Sequence, residues 1–372
     1  MLIRKIRLPF KVKQAVLGMG SQTKNTLCFA EGSYAYLSPV HADLAVPKDL
    51  AAFEKDARAF LKQGPKIIAC DLHPEYQSTK YALALPKGNY CLRHIQHHHA
   101  HIAACMAENG LKPQKVIGVA FDGTGLGDDG ALWGGEFLIS DYTGFLRKAN
   151  LKPVPLLGGE MAIKEPWRTA CFWLFQAYQE KFWDLKIDFL RGLDRKKWRV
   201  LKQLYESGFN CPLSSSMGRL FDAAASMIIS RHKAVHEAEL AVGLEKLAQT
   251  HPNCPAGYKF KFVQDQDWYI IDPLPMFKEM VEDLASRGSL AGIAYKLHSG
   301  IAEMISGVCQ KISRETGIKQ AVLSGGVFQN KLLVSLSSGL LFRQGFKVLI
   351  GKELLSTDMN ISLGQAAIAG AV

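Results

Sequence analysis

Residues 115–154 have the sequence KVIGVAFDGTGLGDDGALWGGEFLISDYTGFLRKANLKPV. Three short apolar runs, KVIGVAFDG, WGGEFLIS and LRKANLKPV, are separated by glycine- and aspartate-rich turns, a pattern that predicts three consecutive β-strands. The segments AVLGMG, NTLCFA and SYAYLSP near the start of the chain have the same character. A three-stranded meander is therefore predicted twice, although no sequence repeat is visible.

Helices and buried strands are predicted after each meander. The first is followed by LAAFEKDARAFLK, KIIACDL, EYQSTKYALAL and HHAHIAACMAEN, which alternate between helical and strand patterns. After the second, residues 165–249 are mainly helical. The C-terminal third then alternates helix and strand, ending in the small-residue helix SLGQAAIAGAV, which is typical of an α/β fold with parallel strands.

This order of elements predicts an α/β protein with the two-lobed actin/hexokinase-like ATPase fold, in which two ribonuclease H-like lobes are duplicated and one carries a helical insertion. We expect residues 1–14 to be a linker-like segment, 15–114 the first lobe and 115–372 the second. The helical insertion is expected at about 165–250. The last helix is expected to pack back on the first lobe, and a nucleotide would bind between the lobes.

The composition is that of a globular protein, with 372 residues of which 48% are hydrophobic and 21% charged. No run approaches the roughly 18 apolar residues of a membrane span, and the opening MLIRKIRLPFKVK lacks the apolar core of a signal peptide. We therefore expect a cytoplasmic protein. The eight cysteines include no CxxC pair, which argues against a zinc ribbon or a disulfide framework.

The formal net charge is +11, with basic clusters at residues 4–13 and 195–202. Such charge suits an anionic ligand, an acidic partner surface or RNA. A solvated helix face explains each cluster equally well.

The run Gln96-His97-His98-His99-Ala100-His101 places four imidazoles within five positions at the start of a predicted helix. Residues four apart share a helix face, so His97 and His101 could bind one metal ion. For the isolated HxxxH pattern, a solvated helix start or a capped buried network is an equally good explanation.

Three further segments could contribute to the same site. Asp122 follows a buried strand and opens the glycine-rich turn DGTG, where turn formation is the simpler role for an aspartate. In LSGGVFQN, residues 323–330, the glycines allow backbone N–H groups to face a phosphate. Asp358 precedes the last helix, where N-capping is its simpler role.

Many ordered motifs together resemble one family. They are KNT (24–26), DLHP (71–74) with Ser78-Thr79, QHHHAHIAA (96–104), DGTG with WGGEFL, EPWR (165–168), MGRLFDA (217–223), LSGGVFQN and SLGQA (362–366). They resemble the C-terminal carbamoyltransferase domain of the HypF family of hydrogenase maturation, over nearly the whole chain. That family is related to the tRNA threonylcarbamoyl-transferring enzymes and to the antibiotic O-carbamoyltransferases.

The resemblance implies a divalent metal site formed by His97, His101, Asp122 and Asp358. The metal in this family is usually considered iron. Two imidazoles and two carboxylates suit Fe2+, Zn2+ or Mn2+ better than Ca2+, and the sequence does not choose among the three.

The resemblance also assigns residues to the nucleotide, ATP or carbamoyl-adenylate. Gly325, Gly326 and Asn330 would contact its phosphates, and Gly218 and Asp222 its ribose or adenine.

The candidates for the phosphate and carbamoyl ends are Lys24, with Asn25 of the KNT motif, Lys164 and Arg168. His73 is a candidate for positioning the donor or acceptor. A surface acid, ordinary surface cations and a structural histidine remain the simpler roles for Asp222, the cations and His73. The segment 234–241 departs from the family pattern except at Glu237.

The implied reaction is carbamoyl transfer from carbamoyl-adenylate to the C-terminal cysteine of a hydrogenase-maturation partner protein. The transferred group later supplies the cyanide ligands of the hydrogenase iron.

Full-length members carry, before this domain, an acylphosphatase-like unit, two CxxC zinc motifs and an adenylate-forming domain. These 372 residues contain none of them, so we expect a separate activating enzyme or domain to supply the donor. Transfer to a small-molecule hydroxyl or to tRNA, and a non-catalytic nucleotide-binding role, stay open. No membrane partner is expected and nucleic acid is not favoured.

Overall fold

The fold is described from a computed structural model that covers residues 4–86, 88, 90–236, 238–251, 256–352, 354 and 356–372. Its first part contains the strands β1 (Arg4–Gly18), β2 (Thr23–Asn25), β3 (Cys28–Leu37), β4 (His41–Asp43), β5 (Ile67–Asp71) and β6 (Cys91–Ile95). The first sheet has the order β3-β1-β5-β6, with β1 antiparallel to β3 and parallel to β5 and β6. Strands β2 and β4 pair separately.

The second sheet is larger. Its strands are β7 (Val116–Leu126), β8 (Leu132–Ser140), β9 (Phe145–Leu151), β10 (Val154–Pro155), β11 (Leu213–Ser214), β12 (Lys261–Asp265), β13 (Trp268–Asp272), β14 (Gln320–Ser324) and β15 (Lys347–Leu349). The main path is β12-β13-β9-β8-β7-β14-β15, and the short β10 and β11 attach beside β8. Strands β7 to β9 form an antiparallel meander, whereas β14 and β15 run parallel to β7.

Twelve α-helices complete the described part of the chain. They are α1 (Pro47–Leu61), α2 (Gln77–Ala84), α3 (His97–Glu108), α4 (Met161–Lys164), α5 (Trp167–Tyr178), α6 (Arg195–Ser207), α7 (Met217–Ile228), α8 (Glu239–Gln249), α9 (Leu274–Ala285), α10 (Leu290–Thr316), α11 (Lys331–Arg343) and α12 (Ile361–Ala371). The predicted mixed α/β class is confirmed.

Helices α3 and α12 form the layer between the two sheets. Helix α12 packs on β1, β3 and β5, whereas α3 packs on β7, β8 and β14, and the two helices contact each other. Small residues allow this close contact: a Cβ on Gly364 would overlap the carbonyl oxygen of Ala100, and one on Gly18 that of Ser362. This layer brings the start of α3 next to the loop before α12.

Three local expectations differ from the structure. Residues 4–14, expected to be linker-like, are the first part of β1 and pair with β3, because Ile6, Leu8 and Val12 alternate into the core. The predicted strands NTLCFA and SYAYLSP are largely one strand, β3, so the described residues of the first lobe form no three-stranded meander. The hairpin of β12 and β13 was missed, although KFKFV carries the two-residue alternation of a strand.

None of the seven cysteines in the described residues forms a disulfide, and five of them are buried. The eighth, Cys254, lies outside the described residues. No helix in the described ranges is both long and apolar enough to cross a membrane.

A matched pair of glycine substitutions tests the close contact of α3 and α12. Gly364→Ala should lower the free energy of unfolding by about 1–3 kcal/mol, since the added methyl overpacks the helix interface. Gly339→Ala makes the same change in α11, where, among the described residues, the added methyl would meet only the flexible end of Arg343, 3.7 Å away. It should instead raise that free energy by about 0.5–1 kcal/mol through helix propensity. Urea unfolding followed by tryptophan fluorescence measures both, and equal effects would contradict the packing account.

Candidate metal centre at the floor of a cleft

The start of helix α3 is fixed by Gln96. Its side-chain oxygen accepts a hydrogen bond from the backbone N–H of His99 at 2.8 Å, which caps the helix. His97 and His101 then lie one turn apart on the same face, and both are fully buried. His98 and His99 point elsewhere, since His98 Nδ1 contacts Gln96 and His99 Nε2 contacts the carbonyl of Asp141.

The structure brings the four predicted metal ligands together. One possible ligand atom from each of His97, His101, Asp122 and Asp358 lies within 4.8 Å of all the others. Asp122 Oδ2 is 3.4 Å from His97 Nε2 and 3.3 Å from His101 Nε2. Asp358 Oδ1 is 3.8 Å and 3.9 Å from the same two nitrogens.

Each histidine is oriented by a second partner on its other ring nitrogen. His97 Nδ1 lies 2.8 Å from the buried carboxylate of Asp71, and His101 Nδ1 lies 2.9 Å from the side-chain oxygen of Asn360. Both partners are acceptors, so each Nδ1 donates and each Nε2 is directed at the aspartates. Histidines that bind metals are commonly held in this way.

The charges around the site favour a cation. Burial opposes a charge on His97, but Asp71, Asp122 and Asp358 outweigh it and raise the pKa of His97 well above its ordinary value. Burial likewise opposes ionisation of Asp122, yet His101 and His97 hold its pKa well below the usual range. Burial and the neighbouring Asp122 raise the pKa of Asp358. Without a metal, a proton on an imidazole supplies the positive charge that these carboxylates require.

Asp122 is held by the second lobe. Its Oδ1 accepts a hydrogen bond from the backbone N–H of Gly326 at 3.0 Å, and Ser216 Oγ donates to its carbonyl oxygen at 2.8 Å. A Cβ at 326 would lie 2.8 Å from Asp122 Oδ1, and one at 218 would lie 2.9 Å from the Gly123 Cα. Both positions therefore need glycine to bring their backbones this close.

A cavity of about 610 Å3 lies above these ligands, and Asp122 and Asp358 line it. One wall comes from the first lobe and consists of Gln22, Thr23, Lys24 and Tyr76. The opposite wall comes from the second lobe and includes Gly218, Arg219, Phe221, Asp222, Ala241, Val242, Glu245, Gly326, Val327, Gln329 and Asn330. We call these the first-lobe wall and the second-lobe wall.

Four of the residues predicted to bind the nucleotide lie in the second-lobe wall: Gly218, Asp222, Gly326 and Asn330. Asn330 Oδ1 caps α11 at Leu333, and its Nδ2 donates to Nε2 of the buried His298 at 2.8 Å. Burial lowers the pKa of His298 to about 4, so this histidine is neutral and accepts that bond. Since its oxygen and one N–H are used, Asn330 offers the cleft its second N–H, a donor suited to an anionic ligand.

Two other residues predicted for the nucleotide do not line the cavity. Asn25 is buried, and its amide nitrogen donates to the carbonyl oxygens of Met19 and Ser21 at 2.8 Å and 2.7 Å. These bonds shape the loop before β2, so its side chain supports the first-lobe wall. Gly325, with φ of 100°, packs against the backbone of Phe121 and gives the turn its path toward Gly326.

Lys164 and Arg168 are also outside the cavity lining. Lys164 is exposed and pairs with Glu160 at 2.9 Å. Arg168 makes two hydrogen bonds to Glu165 and one to the carbonyl of Leu157. The structure therefore does not bring these two cations to the predicted phosphate and carbamoyl ends.

His73 lies beside the first-lobe wall. Its ring stacks on Tyr76 with centroids 4.3 Å apart, and its backbone N–H donates to Asp71 Oδ1 at 2.9 Å. Burial lowers its pKa from the ordinary value, against the effect of Asp71 and Glu75. His73 thus contacts a residue of the cavity and a residue that orients a predicted metal ligand.

The sequence analysis did not identify the residues that hold two of the predicted ligands and Asn330 in position. Asp71, Asn360 and His298 were not assigned roles, although Asp71 ends a buried strand and Asn360 lies in the same turn as Asp358. An aspartate at the end of a buried strand was a usable signal for Asp71, as it was for Asp122. Glu237 lies outside the described residues.

The four side chains fit a divalent transition metal. Their donors are two imidazole nitrogens and two carboxylates, and His97 Nε2 is buried without a hydrogen-bond partner. An imidazole nitrogen that is buried and directed at two carboxylates, with no other group bonded to it, can exchange its proton for a metal ion. Ca2+ prefers an all-oxygen site, so Fe2+, Zn2+ or Mn2+ match this donor set better.

A pair of aspartate variants tests the support given to His97. Asp71→Asn should weaken binding of Fe2+ or Zn2+ by about 10–100-fold, because the negative charge is lost and one amide oxygen cannot accept from both His97 Nδ1 and the His73 backbone N–H. Asp56→Asn alters a similar contact, since Asp56 lies 3.2 Å from the buried His41 and neither residue lines the cavity. Isothermal titration calorimetry under anaerobic conditions measures both. Equal metal affinities in the two variants would contradict the proposed support.

Two family models match the chain. Residues 11–108 match the HypF Kae1-like domain, and residues 118–365 match the carbamoyltransferase, Kae1-like domain, second subdomain. Together they cover both walls of the cleft and all four predicted ligands.

Relatives and solved structures agree with these matches. A carbamoyltransferase HypF of Synechocystis is 35% identical over 97% of this chain and 48% of its own length. A carbamoyltransferase HypF homolog of Cupriavidus necator is 34% identical over 95% of this chain and 91% of its own. A crystal structure of full-length HypF in a phosphate- and nucleotide-bound form superimposes with a TM-score of 0.91 and 35% identity, over 99% of this chain and 57% of that one. The chain thus spans about half the length of several relatives, and it belongs to the HypF carbamoyltransferase family.

Proposed function

We propose that this chain transfers a carbamoyl group from carbamoyl-adenylate to the C-terminal cysteine of a hydrogenase-maturation partner protein. The convergence of His97, His101, Asp122 and Asp358 at the floor of a cleft carries this proposal. The family supports a carbamoyl-transfer role in hydrogenase maturation. The donor, the acceptor and the metal are parts of the proposal.

The second-lobe wall is the proposed donor site. Gly326 and Asn330 lie at the turn before α11, where close backbone approach and the Asn330 N–H suit phosphate oxygens. Phe221, Ala241 and Val242 offer an apolar surface for a nucleobase. A related structure described as nucleotide-bound supports this assignment.

His97, His101, Asp122 and Asp358 would hold the divalent metal, for which Fe2+ is the family expectation. When bound, such a cation supplies Lewis-acid stabilisation of negative charge on carbamoyl and phosphate oxygens. Asp71 and Asn360 keep the two imidazoles in the orientation that this binding needs.

The acceptor must bring its own nucleophile. No cysteine is among the described residues that line the cavity, and burial raises the pKa of the thiols of Cys28, Cys70 and Cys105. In the proposed step, the acceptor thiol loses its proton to water, and the thiolate sulfur attacks the carbamoyl carbon. A C–S bond forms, the C–O bond to the phosphate breaks, and AMP leaves with the bonding electron pair.

The partners follow from this half-reaction. Carbamoyl-adenylate would come from a separate activating enzyme or domain, since the chain corresponds to about half of several relatives. The other partner is the acceptor protein that ends in cysteine.

Mass spectrometry of an acceptor peptide tests the proposed transfer. A peptide ending in cysteine, incubated with this protein, Fe2+ and carbamoyl-adenylate made in the same tube by an activating domain, should gain one carbamoyl group. His101→Ala should reduce the rate at least about a hundredfold, because a buried ligand is lost. His94→Ala removes an exposed histidine of β6 and should leave the rate unchanged.

No carbamoylated peptide with wild-type protein, despite nucleotide binding, would contradict this acceptor and favour a small-molecule or tRNA acceptor. Equal rates for wild type and His101→Ala would contradict a role of the metal centre in transfer.

A charge-introducing variant tests the donor site. Asn330→Asp keeps the cap of α11 but replaces both amide N–H donors, the one bonded to His298 and the one offered to the cleft, with a carboxylate oxygen that repels phosphate. Binding of ADP should weaken about tenfold or more. Asn210→Asp is the control, since Asn210 is exposed and lies outside the cavity lining. Calorimetric titration measures both, and unchanged ADP affinity in Asn330→Asp would place the phosphates elsewhere.

A further inference from the structure

The first-lobe wall is tied to two of the predicted metal ligands. Thr26, directly after β2, donates from its hydroxyl to the carbonyl of Met359 at 2.8 Å, so β2 lies against the turn that carries Asp358. On the other side of this wall, the loop with His73 and Tyr76 begins at Asp71, which contacts His97. Both parts of the wall therefore keep a fixed position relative to the reacting centre.

The side chain of Gln22 joins these two parts. Its oxygen accepts from the backbone N–H of Gln77 at 2.8 Å, and its nitrogen lies 3.4 Å from Asp43 Oδ1. The ring of Tyr76 stacks face to face on the ring of His73, with an interplanar angle of 5°. The result is a preformed surface, which is the common state of a ligand site.

Lys24 is the charge on this surface. Among the described residues that line the cavity, the lysines and arginines are Lys24 and Arg219, and Arg219 pairs with Asp222 at 2.8 Å. Lys24, whose side chain is exposed, makes no such ion pair with the residues that the structure describes. Its backbone has φ of 46°, a left-handed conformation that is unfavourable for a residue with a side chain and that tends to occur at functional positions.

Transfer requires the donor and the acceptor to bind at different walls of the cleft. The incoming sulfur must approach the carbamoyl carbon from a direction that the departing adenylate does not occupy. If the second-lobe wall holds the nucleotide, the acceptor reaches the carbon from the first-lobe wall. The cysteine at the end of the acceptor carries an α-carboxylate close to its sulfur, and this wall offers an ammonium group.

We propose that the first-lobe wall is an acceptor subsite, in which Lys24 binds the terminal α-carboxylate of the acceptor and Tyr76 flanks the preceding residues. This inference rests on the proposed function. It gives the enzyme a means of selecting a cysteine at the end of a chain over a cysteine within one. It also replaces the expectation that Lys24 contacts the phosphate or carbamoyl end of the donor.

Two peptides of the same sequence test this subsite, one ending in cysteine with a free carboxylate and the other ending in cysteine amide. With wild-type protein, Fe2+ and carbamoyl-adenylate, the acid should have a KM about tenfold lower than the amide. Lys24→Gln should raise the KM of the acid to that of the amide, with kcat and the KM for the donor unchanged. Lys24→Arg should keep the preference, and Lys48→Gln, which removes an exposed charge outside the cavity, should behave as wild type.

Fluorescence anisotropy gives a second readout without turnover. The labelled acid peptide should bind the ADP-loaded protein about tenfold more tightly than the labelled amide, and Lys24→Gln should abolish the difference. Equal binding of acid and amide by the wild type overturns the proposal. So does a Lys24→Gln protein that keeps the preference but has a raised KM for the donor, since Lys24 then belongs to the nucleotide.

A failure of the proposed function would give a different result in these experiments. If the wild type carbamoylates neither peptide but binds the acid in preference, the acceptor subsite stands and the reaction assigned to it is wrong.

Discussion

The two lobes meet where two imidazoles and two carboxylates converge, a largely buried cluster on which the geometry of the cleft depends. His97 and His101 come from helix α3, Asp122 from the end of the buried part of β7, and Asp358 from the turn before α12. A buried group of this kind is stable only when a cation balances the carboxylates. The close contact of α3 with α12 is therefore also what assembles the site, because it places Asp358 and Asn360 beside the two histidines.

The two walls follow from how each ligand is held. Asp122 is bonded to the Gly326 backbone in the second lobe, whereas His97 is bonded to Asp71 in the first. A change in the relative position of the lobes would move these supports apart and alter the metal site. Donor and acceptor that bind opposite walls would meet at the ligands that both walls orient, which is the geometry that group transfer requires.

The sequence predicted most of the helices and strands, but not the start of β1, the single strand β3 or the hairpin of β12 and β13. It also predicted that His97 and His101 share a helix face, because helical spacing fixes which residues do so. It was not sufficient for Asp358 without the family resemblance, since helix capping explains an aspartate there equally well. Lys164 and Arg168 show the same limit: a cation beside a proline gives no sign that Glu160 and Glu165 bind it. His101 and Asn360 form a hydrogen bond although 259 positions separate them in the chain. A contact between such distant residues can be found only from the folded structure.

We infer that these four side chains bind a metal between the walls. A crystal structure of the protein with Mn2+ and ADP, with anomalous scattering data collected to locate the ion, would reveal this site. We expect one strong anomalous peak bonded to Nε2 of His97 and His101 and to carboxylate oxygens of Asp122 and Asp358, below the phosphates of the nucleotide. The inference is wrong if the peak lies at other residues, or if saturating Mn2+ gives no peak and the four side chains contact only one another.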